Sequence, residues 1–192
     1  MKNENIIKLI KETRNSSFNR NNYSVNIFFD HFVEGMLLHT YYDMKDLYRE
    51  NKSLSNKEWI ERVTPEFQRA NNKWSKAMKL KFIENLLSGV KTELLLFRMK
   101  EHDDAQIIDG LQRTTAILDF FNGKIKPFGY SYTDLKDSLK MFNTNLIIKI
   151  YTFDNWKEVG KFYIDMNENI THSKKDIQKA KDWFLLEHNI TL

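Results

Sequence analysis

The chain has 192 residues, 41% of them apolar, enough for one domain with its own core and too few for two comfortable ones. It has no cysteine, which excludes disulfides, thiolate zinc sites, iron–sulfur clusters and cysteine nucleophiles. Lys and Arg number 30 against 26 Asp and Glu, and the formal charge of +4 permits contact with phosphate polymers without requiring it. Apolar stretches such as Leu94-Leu95-Leu96-Phe97 fall far short of the roughly 20 residues of a spanning helix, and Met1 to Lys11 carries charges throughout. The expectation is a soluble, cytoplasmic protein with no membrane partner.

In chain order, a short helix is expected over Glu4 to Thr13, then a polar loop from Asn15 to Asn22. From Tyr23 to Arg49 the apolar residues Val25, Phe28, Phe29, Phe32, Val33, Met36, Leu37, Tyr41, Met44 and Leu47 recur at three and four, which predicts one broad apolar face on a helix or on two abutting helices broken at Gly35. Ser55 caps a helix through Val63 that Thr64-Pro65 ends, and Ser75 caps another through Leu87 with Gly89 beyond it. Strands follow at Glu93 to Met99 and Ala105 to Ile108 across a charged turn, then a helix from Leu111 to Phe121 stopped by Asn122-Gly123. Asn145 to Phe153 alternates as a strand, and Trp156 to Met166 and Lys174 to Glu187 are amphipathic helices. This order describes an α+β domain with a small mixed sheet and surrounding helices, extended by a helical N-terminal segment over residues 1–58, with the domain itself over 59–192.

Chemistry concentrates in Ile107-Ile108-Asp109-Gly110-Leu111-Gln112-Arg113-Thr114-Thr115, which puts a strand end, a glycine and an arginine at the start of a helix. A helix start presents unbonded N–H groups and positive dipole, Gly110 lets a ligand approach the backbone, and Arg113, Thr114 and Thr115 add donors, a set suited to phosphate. Asp109 sits at the lip, placed to hold a metal or orient a water or hydroxyl. The alternative is plainer: Asp109 caps the helix and Arg113 pairs with a surface acid. A second run, Thr64-Pro65-Glu66-Phe67-Gln68-Arg69 followed by Trp74, places adjacent polar side chains in an irregular segment of the kind that lines sites. On its own it reads better as a structural ion pair at Arg69 and a Trp74 lid on the next helix.

Together these runs resemble a family. Pro65-x-Phe67-Gln68-Arg69, Trp74, the helix with Phe82-Ile83-Glu84-Asn85-Leu86-Leu87-x-Gly89, then Ile108-Asp109-Gly110-Leu111-Gln112-Arg113-Thr114-Thr115 are similar to the N-terminal domain of GmrSD-type modification-dependent restriction enzymes, of the ParB/sulfiredoxin superfamily. The likeness continues through Phe162-Tyr163-x-x-Met166-Asn167-Glu168-Asn169 and Ser173 to Ala180, covering roughly 59–181. The resemblance implies a nucleoside triphosphate site in which Gly110, Arg113 and the helix start hold phosphates with Thr114 and Thr115. It also implies that Asp109, Gln112 and Arg113 serve catalysis, that Asp109 takes a Mg2+ ion, and that Gln68 and Arg69 close over the site. The family's usual run is Asp-Gly-Gln-Gln-Arg; Leu111 stands at its first Gln, where sulfiredoxin has its reactive cysteine, so sulfiredoxin activity is out. The function so implied is nucleotide binding, with hydrolysis as the weaker expectation, in a DNA-linked process such as restriction, its evasion or phage DNA metabolism.

Two rivals stand beside it. One is an interaction module with a disabled pocket, in which the apolar face from Val25 to Leu47 meets a partner or a second copy. The other is a phosphotransferase acting on a small hydroxyl compound. His31, His39, His102, His172 and His188 show no ligand spacing and read as structural. Phe28, Phe29, Phe32, Tyr41 and Tyr42 are set at core or interface spacing rather than as a base-stacking surface, and Lys174, Lys175, Lys179 and Lys181 make a basic face that reads as solvated, with contact to DNA phosphates as the alternative.

Overall fold

The computed structural model describes residues 22–33, 36, 55–68, 70, 71, 73–101, 104–141, 144–168 and 172–192. The expected helix at 4–13, nearly all of the loop after it, Gly35, residues 37–54 with Tyr41 and Tyr42, and Arg69 lie outside them. Among the described residues the elements are β1 (Asn22–Phe28), α1 (Asn56–Val63), α2 (Lys76–Leu87), β2 (Glu93–Met99), β3 (Gln106–Asp109), α3 (Leu111–Phe121), α4 (Tyr132–Met141), β4 (Asn145–Phe153), α5 (Trp156–Asn167) and α6 (Lys174–His188). They form an α+β domain around one mixed sheet of order β1-β4-β2-β3. β4 runs parallel to β2 and antiparallel to β1, and β3 returns antiparallel to β2.

The central strand explains the layering. Leu94, Leu95, Leu96 and Phe97 are all buried, which a strand covered on one face cannot achieve. Leu94 and Leu96 join a core with Ile148 and Ile150 of β4 and with residues of α1, α2, α3 and α4, such as Trp59, Ile83, Ile117 and Leu139. Leu95 and Phe97 join a second core with Tyr151, Phe153, Phe162 and Tyr163 and with Ile177 and Phe184 of α6. Each such side chain, fully buried, stabilises the fold by roughly 1.5–3 kcal/mol. Helices therefore flank both faces, and the ends of the strands open between two layers.

Two elements differ from expectation. Residues 23–28, expected as helix, form β1 together with Asn22 of the expected loop; its seven residues register on 145–151 of β4 and cover what would be a bare sheet edge. The spacing of three and four runs across a boundary: Val25 and Ile27 belong to the strand, while Phe29 opens a 3-10 turn at Phe29–His31 and Phe32 and Met36 come after it. Phe29, Phe32 and Met36 are buried against Trp59 and its neighbours, so this part of the apolar face is filled by the domain's own core. The other difference is α4, which was not expected. Its start carries a serine and an acid three residues on: the Ser131 N–H donates to Asp134 Oδ2 at 2.8 Å and the Asp134 N–H to Ser131 Oγ at 3.4 Å.

Candidate functional site

The chain leaves β3 at Asp109, turns at Gly110 and enters α3, and this corner is the floor of a cleft of about 360 Å3. Gly110 has φ +108°, and a Cβ there would lie 2.5 Å from Leu94 Cδ2 and 3.4 Å from Arg113 Nε and Nη2. Both the left-handed backbone and the close approach demand glycine. Gly110 is also the N-cap of α3, so the cap position carries no side chain, and the first turn holds no acid. The N–H groups of Leu111, Gln112 and Arg113 have no carbonyl within the helix to bond, and the dipole there is positive.

Arg113 folds back over Gly110. Its Nη2 is bonded to the Asp109 carboxylate, while its buried Nε has no hydrogen-bond partner among the described residues. Asp109 is thus a partner of Arg113 and not a cap, and the side chains are 36% and 27% exposed respectively. A second cation, Lys73, lines the cleft and stands 3.0 Å from Asp176 Oδ1 on α6. Burial pushes the Asp176 carboxyl up, but the Ser173 hydroxyl and the bond and charge of Lys73 outweigh it and hold the group below its ordinary value. His172 completes this wall, and Trp74, Met78 and Leu111 line the apolar remainder.

The two glutamines of the sequence motifs both face this region, and both are engaged in holding it together. Gln68 Nε2 donates to the carbonyls of Ile107 (3.2 Å) and Ile108 (3.1 Å), and its Oε1 accepts from the Tyr163 hydroxyl at 3.0 Å. Gln112 Oε1 accepts from the Trp74 N–H at 3.1 Å, and its Nε2 donates to the Ala70 carbonyl at 3.2 Å. Thr115 Oγ1 lies 2.8 Å from Asn71 Oδ1, and Thr114 is fully buried; neither lines the cleft. The motifs thus bring Asp109, Gly110, Gln112, Arg113 and Gln68 to one cleft, while Thr114 and Thr115 support it from behind.

The rim is fastened to α6. Lys179 Nζ donates to the carbonyls of Glu66 (3.2 Å) and Gln68 (2.9 Å), and Trp183 Nε1 donates to Glu66 Oε2 at 3.1 Å. Positions 176, 179 and 183 share one helical face. The lysine face expected of α6 is therefore partly structural, since Lys181 also lies 3.8 Å from Glu168 Oε1. Lys73, Met78 and His172 carry no motif of their own and reach the cleft through tertiary folding alone. Among the described residues no group of three or more His, Asp or Glu is placed to hold a metal.

The family model for the GmrSD restriction endonuclease N-terminal domain matches residues 44–190. The chain belongs to this family. The GmrSD N-terminal domain ties it to a restriction-type, DNA-related role. Neither the curated proteins nor the solved structures provide a match. The match takes in all the described lining residues of the cleft, from Gln68 to His172. No described helix is long and apolar enough to cross a membrane.

Proposed function

We propose that this GmrSD N-terminal domain binds a nucleoside triphosphate in the cleft, with the phosphates at the start of α3. The observation that carries the reading is the Gly110 corner: an uncapped helix start under an arginine whose buried Nε donor has no partner among the described residues. Phosphate oxygens would receive the first-turn N–H groups and that guanidinium, with Lys73 within the same cleft as a second positive charge. A magnesium ion travelling with the nucleotide would find the Asp109 carboxylate and take its other ligands from phosphate and water, the usual arrangement for that ion.

Binding is favoured over hydrolysis. Asp109 is committed to Arg113, the amides of Gln68 and Gln112 are each bonded at both ends, and Leu111 is apolar, so none of these motif residues is an unengaged base for a water. Within a restriction-type system the domain would then act by occupancy of the cleft. Calorimetric titration with ATP and GTP should show binding that Arg113→Ala weakens roughly 10- to 100-fold, the loss of a charge-assisted bond. Equal affinity in the folded variant, or no binding by the wild type, overturns the reading.

A further inference from the structure

The cleft lining combines charged and apolar side chains, and the inference concerns the apolar ones. Trp74 lines it from the segment before α2, and Met78, in the first turn of α2, lines it while remaining 50% exposed. Trp74 is braced: its N–H is held by Gln112, and its ring packs on Phe82 with centroids 5.4 Å apart at 60°. A braced aromatic residue in the same lining as the cations Arg113 and Lys73 suits a ligand that is planar at one end and anionic at the other.

We propose that Trp74, flanked by Met78, is the platform on which the nucleotide base stacks, and that the base is held by its face and not read at its edge. The proposal rests on the nucleotide reading above and deepens it. Reading a base edge takes unengaged donors and acceptors, and the two amides placed to do so are already satisfied by protein partners. The charged groups in the described lining belong chemically with the phosphates. Stacking is tolerant of sequence because every base has a π-face. The consequence is a site that prefers nucleotides over bare triphosphate but discriminates poorly among the bases.

The test measures affinities of inorganic triphosphate, ATP, GTP, CTP and UTP for the wild type and for Trp74→Leu and Trp74→Phe. In the wild type each nucleotide should bind about 5- to 150-fold more tightly than inorganic triphosphate, the range that one base–aromatic stack supplies. The four nucleotides should fall within about tenfold of one another. Trp74→Leu keeps an apolar side chain against Phe82 and should remove the nucleotide advantage while leaving triphosphate affinity unchanged; Trp74→Phe should keep most of it. Triphosphate binding as well as the nucleotides in the wild type would overturn the platform and leave the phosphate site standing. So would a Trp74→Leu loss shared equally by all five ligands, which would make Trp74 a support of the loop. A preference above about a hundredfold for one base would overturn reading by the face. Binding of none of the five would remove the platform together with the nucleotide reading.

Discussion

α3 starts in the lining of the cleft and α6 starts two residues beyond the lining residue His172, and the two starts are built in opposite ways. α6 begins with a closed capping box: the Ser173 hydroxyl accepts from the Asp176 N–H at 3.2 Å, and the Asp176 carboxylate reaches back to Ser173. α1 repeats the device with Ser55 and Glu58, and Ser75 and Asn155 cap α2 and α5. α3 has a glycine at that position and no acid in its first turn. A serine and a carboxylate satisfy a helix end internally, whereas a glycine leaves its donors to be met from outside. The contrast separates a terminus whose donors are met by its own side chains from one whose donors are left open, as the proposed phosphate site requires.

The contrast breaks most severely at the corner itself. Gly110→Ala forces a Cβ into the left-handed backbone and onto Leu94, and should destabilise the fold by roughly 2–4 kcal/mol, read as a lowered midpoint in urea. Deleting the α6 cap with Ser173→Ala should cost about 1 kcal/mol in the same measurement.

Asp176→Asn sharpens the contrast with a smaller effect. It releases Lys73 from its carboxylate, so anion affinity should rise roughly 2- to 10-fold by titration. The pH dependence has a definite sign. Because the folded Asp176 carboxyl lies below its ordinary value, its contribution to stability is present above the unfolded pKa and is lost as the pH falls through the folded one. The wild-type advantage in melting temperature over Asp176→Asn should therefore be full at neutral pH and fade in acid; an advantage that grew in acid would contradict the assignment.

Much of the fold was legible because the signals are local. The apolar run at 94–97, the alternation over 145–153 and the serine caps before α1, α2 and α6 each fix an element within a short window. β1 was not, because Val25 and Ile27 are followed at once by Phe29, Phe32 and Met36, and the joined spacing imitates a helix. α4 had readable signals in Ser131 and Asp134 and in the helical spacing of Tyr132, Leu135 and Leu139, but that apolar stripe is thin and the rest of the run is largely polar. At the site, the Asp109 to Arg113 run was visible because five consecutive residues carry it. Lys73, Met78 and His172 were not, since each is a lone residue whose place depends on chain far away. The roles of Gln68 and Gln112 as braces followed from partners that spacing does not reveal, such as Tyr163, 95 positions away.

The bonds from Lys179 and Trp183 to Glu66 and Gln68 join residues 111 to 117 positions apart. During synthesis the Asp109 to Arg113 corner leaves the ribosome long before α6 does, so an early nascent chain holds the motif without its fastened rim. Contacts this distant in sequence form late because closing the intervening loop costs entropy first. The cleft is thus completed only when α6 arrives, and a half-made chain has no finished one.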